Sequence, residues 1–179
     1  LTLALKVLNI DKGDEIITTP HTALATIAAI IDTGATPVLV DIETDTYCID
    51  SDKIEKNINY KTKAIMPVHI YGHPANMNKI KNISKKYKIP IIEDCSQAFG
   101  SMINSQYVGS FGLLSVFSFY PTKNLGAIGD GGIIVTNSKK YSNLLRQIRQ
   151  YGWNNKRVTK SKGANSRLDE IQAAILNYK

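Results

Sequence analysis

The residues that could do chemistry sit in a few short stretches. Asp94 closes the run Ile89-Pro90-Ile91-Ile92-Glu93-Asp94, and Cys95, Ser96 and Gln97 follow it. An apolar run predicts burial, and a buried carboxylate needs a cation or hydrogen-bond donors to offset its desolvation. The same Asp94 could instead cap a helix beginning at Ser96, with Gln97 completing a capping box. Lys123 lies in the turn Ser118-Phe119-Tyr120-Pro121-Thr122-Lys123-Asn124-Leu125-Gly126. A lysine held among apolar groups gives up its proton readily and attacks carbonyls, whereas one in an open loop does neither. The glycines of Gly126-Ala127-Ile128-Gly129-Asp130-Gly131-Gly132 match neither the dinucleotide fingerprint nor the Walker A pattern, and predict a tight turn passing close to something bulky. Cys95 is either a reactive thiol or a small core residue. His69 and His73 lack zinc-ligand company at the right spacing, so no metal site is expected. No Ser–His–Asp arrangement follows from the spacings.

These stretches are positioned by alternating apolar runs and helical patterns. Strands are predicted at residues 15–18, 36–41, 63–68, 89–94, 115–119 and 132–136, and helices at 21–33, 51–58, 76–87 and 138–151. Ser166-Arg167-Leu168-Asp169 fits a capping box opening a further helix through Glu170, Ile171, Ala174 and Ile175. Strands apolar on both faces, separated by helices, predict a three-layer α/β domain: a mostly parallel central sheet with helices on both faces. In such sheets ligands sit beyond the carboxyl ends of the strands. Those exits carry Thr18-Thr19-Pro20-His21, His69-Ile70-Tyr71-Gly72, Asp94-Cys95-Ser96-Gln97 and Phe119-Tyr120-Pro121-Thr122-Lys123.

Composition narrows the partners. With 179 residues, 43% hydrophobic and 21% charged, the chain reads as one globular domain with a sizeable core. Its longest nearly apolar stretch, residues 23–31, is too short to span a bilayer, so no membrane partner is expected. The two cysteines, Cys48 and Cys95, form no CxxC and fit a reducing cytoplasm. The net charge of +7 comes from 18 lysines and only four arginines. Lysines spread along helix faces read as solvated surface, so no nucleic acid is expected. Both ends look cut: Leu1 to Leu8 reads as the inside of an amphipathic helix, and the last helix runs to Lys179 without a stop signal.

Taken in order, Glu93-Asp94-Cys95-Ser96-Gln97-Ala98-Phe99-Gly100, Val108-Gly109-Ser110-Phe111-Gly112, Ser118-Phe119-Tyr120-Pro121-Thr122-Lys123-Asn124-Leu125-Gly126, Gly129-Asp130-Gly131-Gly132 and Gly163-Ala164-Asn165-Ser166-Arg167-Leu168-Asp169-Glu170 closely resemble the DegT/DnrJ/EryC1 family of sugar aminotransferases that use pyridoxal phosphate (PLP). His21-Thr22-Ala23-Leu24-Ala25-Thr26 and Pro67-Val68-His69-Ile70-Tyr71-Gly72 are similar to the family's as well. The resemblance implies the large domain of the aspartate aminotransferase fold (PLP fold type I), incomplete at both ends. The family's Gly-Thr phosphate segment would precede Leu1 and its small domain would follow Lys179. The fragment alone is then expected to bind PLP poorly and to be inactive.

The resemblance also implies roles. Lys123 would form the Schiff base with PLP and shuttle the substrate proton. Asp94 would accept a charge-assisted hydrogen bond from the protonated pyridine nitrogen, keeping the ring protonated, and Gln97 would lie against the ring near its 3-hydroxyl. Ser118 would hold the phosphate, and Asn165 would reach the phosphate of the neighbouring subunit, giving a homodimer with a shared active site. The implied reaction moves an amino group from a donor, L-glutamate in this family, to the keto carbon of a nucleotide-linked sugar. One departure stands out: many members stack an aromatic residue on the ring where this chain has Ala23. Two other readings within the family remain. Dehydratases replace the Schiff-base lysine, which is present here as Lys123. A non-catalytic regulator would not need Asp94, Gln97, Ser118 and Lys123 together.

Overall fold

The apolar runs fold as strands because neighbouring side chains find separate cores on opposite sides. The computed structural model describes residues 1–179. In chain order its elements are α1 (Thr2–Lys6), β1 (Glu15–Thr18), α2 (Leu24–Ile31), β2 (Thr36–Leu39), α3 (Ser51–Ile54), β3 (Thr62–Ile65), α4 (Met77–Tyr87), β4 (Ile92–Asp94), β5 (Met102–Ile103), β6 (Gln106–Tyr107), β7 (Leu114–Ser118), β8 (Gly132–Val135), α5 (Lys139–Ile148) and α6 (Glu170–Tyr178). Ile16, Ala64 and Ile92 pack into one core with Leu5 of α1, Ile30 of α2 and Leu145 of α5. Their neighbours Ile17, Ile65 and Ile91 pack into the other with Ile54 of α3 and Met77, Ile80 and Ile83 of α4. This is the two-residue period of a strand buried on both faces.

The hydrogen-bonded order runs β2-β1-β3 and β4-β7-β8. The segment after β3 joins the two halves: Ile65 pairs with Ile91 and Val68 with Asp94, both parallel. His69 N donates to the Asp94 carbonyl at 3.0 Å, and Asp94 N donates to the Pro67 carbonyl at 2.9 Å. All pairings in the continuous sheet are parallel except β7 with β8. The expected three-layer α/β architecture is therefore present.

Several boundaries differ from the sequence expectation, each for a local reason. The helix expected from residue 21 begins at Leu24, because Thr22 N first closes a turn onto the Pro20 carbonyl. The strand expected from residue 89 forms its continuous ladder only from Ile92, after the isolated bridge of Ile91 to Ile65, since Pro90 has no N–H to donate. The capping box at Ser166 does not form. Ser166 N donates to the Arg149 carbonyl, and α6 starts behind Asp169, which makes no side-chain cap bond. The strands are not covered on both faces throughout: on edge strand β8, Ile133 and Val135 are exposed.

The sequence reading missed the β5–β6 hairpin. Its two-residue loop, Asn104-Ser105, has φ of 47° and 62°, the left-handed backbone that a tight hairpin turn demands. No helix is long and apolar enough to cross a membrane.

Candidate active site

Asp94 is the last residue of β4 and Ser118 the last of β7. The two strands are parallel neighbours, with Asp94 opposite Val116, so both side chains emerge at one carboxyl edge of the sheet. Asp94 is only 2% exposed. Its Oδ2 accepts from Thr26 Oγ1 at 2.8 Å and its Oδ1 from Ser96 N at 3.1 Å. A turn follows, not a helix, so the helix-cap alternative falls. No lysine, arginine or histidine side chain pairs with this carboxylate.

The chain beyond Ser118 folds back on itself and carries Lys123. Tyr120 N donates to Ser118 Oγ at 3.2 Å, Lys123 N to the Tyr120 carbonyl at 2.9 Å, and Ala127 N to the Phe119 carbonyl at 2.8 Å. Gly126 is required there: a Cβ would stand 2.5 Å from the Pro121 carbonyl oxygen. Elsewhere in the run the close approach is to bulkier groups, Gly129 to the Gln172 side chain and Gly131 to Leu168 and Phe119. Lys123 is half-buried.

Gln97 is held from the neighbouring strand exit, where Tyr71 N donates to its Oε1 at 3.0 Å. Tyr71 adopts φ 54°, sparsely populated for a non-glycine residue, and its hydroxyl meets His21 Nε2 at 3.0 Å.

Asp94, Gln97, Ser118 and Lys123 all line one cavity of about 1150 Å³, with Ala23, Thr22 and Thr26 on its wall. Three of the four arginines, Arg146, Arg149 and Arg167, line it too. Arginine is scarce in the sequence, yet it is concentrated at this cavity. Asn165 does not join the other four. It is exposed, accepts from Arg167 Nε at 2.7 Å, and lines a second cavity of about 520 Å³ beside Arg149 and Arg167.

Sequence reasoning missed the partners behind these residues. Thr22, in the turn before α2, and Thr26, in its first turn, bring their hydroxyls to 2.7 Å. His69, Glu93 and Cys95 cluster with their ligand atoms within 4.8 Å of one another, although no company for His69 was expected. The cluster is a hydrogen-bonded hub whose acceptors are already engaged. Ala75 N donates to His69 Nδ1 at 3.0 Å, which places the ring proton on Nε2, donating to Glu93 Oε2 at 3.1 Å. Gly109 N also donates to Oε2, while Phe111 N, Gly112 N and Ser115 Oγ donate to Oε1.

Burial raises the proton affinity of Glu93, but the bonds from His69, Gly109 and Gly112 overcome it and hold the carboxyl below its ordinary pKa. Burial, with Glu93 and Asp94 nearby, pushes the Cys95 thiol far up. Cys95 is therefore a core residue and not a nucleophile.

A mostly parallel sheet with helices on both faces, with a lysine and a carboxylate converging at its carboxyl edge, is the α/β architecture of PLP fold type I that its solved structural neighbours share. The chain belongs to the DegT/DnrJ/EryC1/StrS aminotransferase family, which it matches over residues 1–179. It is 51% identical over 179 residues to the dTDP-3-amino-3,6-dideoxy-alpha-D-galactopyranose transaminase of Aneurinibacillus thermoaerophilus, covering 100% of this chain and 49% of that protein. It is 46% identical over 177 residues to a pleiotropic regulatory protein of Geobacillus stearothermophilus, covering 99% of this chain and 48% of that protein. Among solved structures, DesV of S. venezuelae in complex with a ketimine intermediate superposes with a TM-score of 0.96 at 43% identity, covering 99% of this chain and 48% of that one. The chain spans about half the length of these relatives.

Proposed function

We propose that the protein carrying this chain is a PLP-dependent aminotransferase that moves an amino group, from L-glutamate, to the keto carbon of a nucleotide-linked sugar. The observation that carries this reading is the convergence of Lys123, Asp94, Gln97 and Ser118 on one cavity. That donor set fits the cofactor. Asp94 is a buried carboxylate with no side-chain cation, as a protonated ring nitrogen requires, and each of its oxygens receives only one donor from the chain. Residues 1–179 serve as the cofactor-binding large domain in this reading.

PLP, when bound, supplies an electron-withdrawing ring that stabilises charge on the substrate carbon. With PLP in place, Lys123 would hold it covalently and, as the free amine, would move the proton at the reacting carbon. Asp94 keeps the ring nitrogen protonated through a charge-assisted hydrogen bond of about 1.5–3 kcal/mol. Gln97 would lie against the ring and Ser118 would hold the phosphate. Asn165, turned away from this cavity, serves the phosphate of a second copy in a homodimer. The free, buried cysteines accord with work in the cytoplasm.

The names of relatives, that of the Geobacillus protein among them, favour the regulatory reading. The intact Lys123, Asp94, Gln97 and Ser118 set favours the enzyme. The protein from its complete gene, incubated with PLP and reduced with borohydride, should carry a phosphopyridoxyl group on Lys123 by peptide mass spectrometry. Glutamate should convert the bound cofactor to its pyridoxamine form. A folded protein without the Lys123 adduct overturns the proposal.

A further inference from the structure

The buried face of Asp94 is served by two threonines that no cofactor role accounts for. Thr26 is 1% exposed and lies in the first turn of α2. A threonine hydroxyl in a helix commonly bonds back to the carbonyl four residues earlier. Here it leaves its own helix and donates to Asp94 Oδ2 at 2.8 Å, across 68 residues of sequence. Thr22 Oγ1 stands 2.7 Å from Thr26 Oγ1. A hydroxyl has one proton, and that of Thr26 is committed to the carboxylate, so Thr22 donates to Thr26. The three groups form a one-directional chain, Thr22 to Thr26 to Asp94, in which each bond polarises the next. Both threonines line the cavity that holds Asp94 and Lys123.

We propose that Thr26, backed by Thr22, is a positioning residue that fixes the Asp94 carboxylate for its contact with the cofactor's ring nitrogen. The inference rests on the aminotransferase reading above. Ser96 N holds Oδ1 and Thr26 holds Oδ2, so the carboxylate plane is pinned at both ends. Without the hydroxyl, Oδ2 of this buried carboxylate loses its only side-chain donor from the chain.

The test uses the full-length protein loaded with PLP and two variants that separate hydroxyl from shape. Thr26→Val keeps the branched shape and loses the hydroxyl; Thr26→Ser keeps the hydroxyl and loses a methyl. Loss of a hydrogen bond to a charged group predicts about tenfold weaker PLP retention in Thr26→Val, read by absorbance titration of the cofactor-stripped protein. Its kcat should fall with KM for the amino donor unchanged within about twofold, and Thr26→Ser should match the parent in both readouts within about twofold.

Wild-type retention in Thr26→Val, or a Thr26→Ser as weak as Thr26→Val, overturns the proposal, because packing and not the hydroxyl would then be the cause. Where Thr26→Val does not fold, Thr22→Val replaces it: retention weakened by about threefold supports the relay, and unchanged retention overturns it. An absent Lys123 adduct in the parent protein defeats the aminotransferase reading itself. A normal adduct with an unperturbed Thr26→Val defeats this inference alone.

Discussion

Glu93→Gln should be among the most damaging single changes in this chain, although it alters one atom. The carboxylate receives His69 Nε2 and Gly109 N on one oxygen, and Phe111 N, Gly112 N and Ser115 Oγ on the other. A glutamine has one oxygen and one NH2 group, so one set of donors must face another donor. With the NH2 toward Oε1, Phe111 N and Gly112 N are orphaned. With the NH2 toward Oε2, Gly109 N is orphaned, and His69 can accept from the amide only by moving its proton to Nδ1, against Ala75 N.

Breaking a buried charged network by removing one partner costs about 3–5 kcal/mol, a large part of a total stability of about 5–15 kcal/mol. In urea, with an m-value of about 3 kcal/mol/M, the midpoint should fall by more than about 1 M. The pH dependence carries a second signature. The folded pKa of Glu93 lies below its ordinary value of 4.5, so its stabilisation is fully present above that value and is lost as pH falls through the folded pKa. The gap between wild type and Glu93→Gln should therefore be constant near neutrality and shrink below about pH 4.5. A variant within about 1 kcal/mol of wild type at neutral pH, or a gap that widens in acid, would refute the hub.

Three further outcomes are expected. Asp94→Asn keeps the shape but loses the charge, and should weaken PLP retention by about ten- to hundredfold in the same absorbance titration, with the fold intact by circular dichroism. Gly126→Ala drives a methyl to 2.5 Å from the Pro121 carbonyl oxygen and 2.9 Å from its carbon, backbone atoms that cannot rotate away. It should cost about 1–3 kcal/mol in urea denaturation and disturb the Lys123 loop, read as slower formation of the borohydride-trapped adduct. Ser105→Gly relieves a left-handed residue with φ 62° in the β5–β6 turn and should raise stability by up to about 1 kcal/mol, measured by the same denaturation.

The fold was legible wherever burial alone decides it. The inner runs that became β1, β3 and β4 are strands with both faces on a core, a signal that survives without knowledge of any partner, while the edge strands β2 and β8 leave Leu39, Ile133 and Val135 exposed. Boundaries failed where one backbone group overrode the pattern: Pro90 without an N–H, and Ser166 bonding to the Arg149 carbonyl instead of capping α6. Asp94, Gln97 and Lys123 lie at strand exits that topology sends to one edge, whereas Ser118 came only from the family resemblance; all four line one cavity. The relay from Thr22 and the hub around Glu93 were not. Each joins residues far apart in the chain, Thr26 to Asp94 and His69 to Glu93, and a single sequence carries no local trace of such a pairing. The hairpin at Asn104-Ser105 did have a local trace, an asparagine in a two-residue polar loop, and was overlooked.

Glu93 and Asp94 show how far residue type alone can be taken. They are adjacent, acidic and buried at 0% and 2% exposure, and by composition either could be the group that meets a ligand. The pleat separates them, since successive side chains of a strand point to opposite faces. Asp94 turns toward Thr26 and the cavity, and Glu93 toward the loop containing Gly109, Phe111 and Gly112. Donor supply then sets their roles. Glu93 is surrounded by donors from the chain and has little acceptor capacity left, so its charge serves the fold. Asp94 receives one donor on each oxygen and keeps capacity on the cavity side. A one-residue slip of β4 would exchange the two, placing the longer side chain in the cavity and leaving the donors of the 109–112 loop without their acceptor. The ladder of β4 on β7 and the Asp94 bonds to Pro67 and His69 hold that register, so the hub that stabilises the strand also keeps Asp94 facing the site.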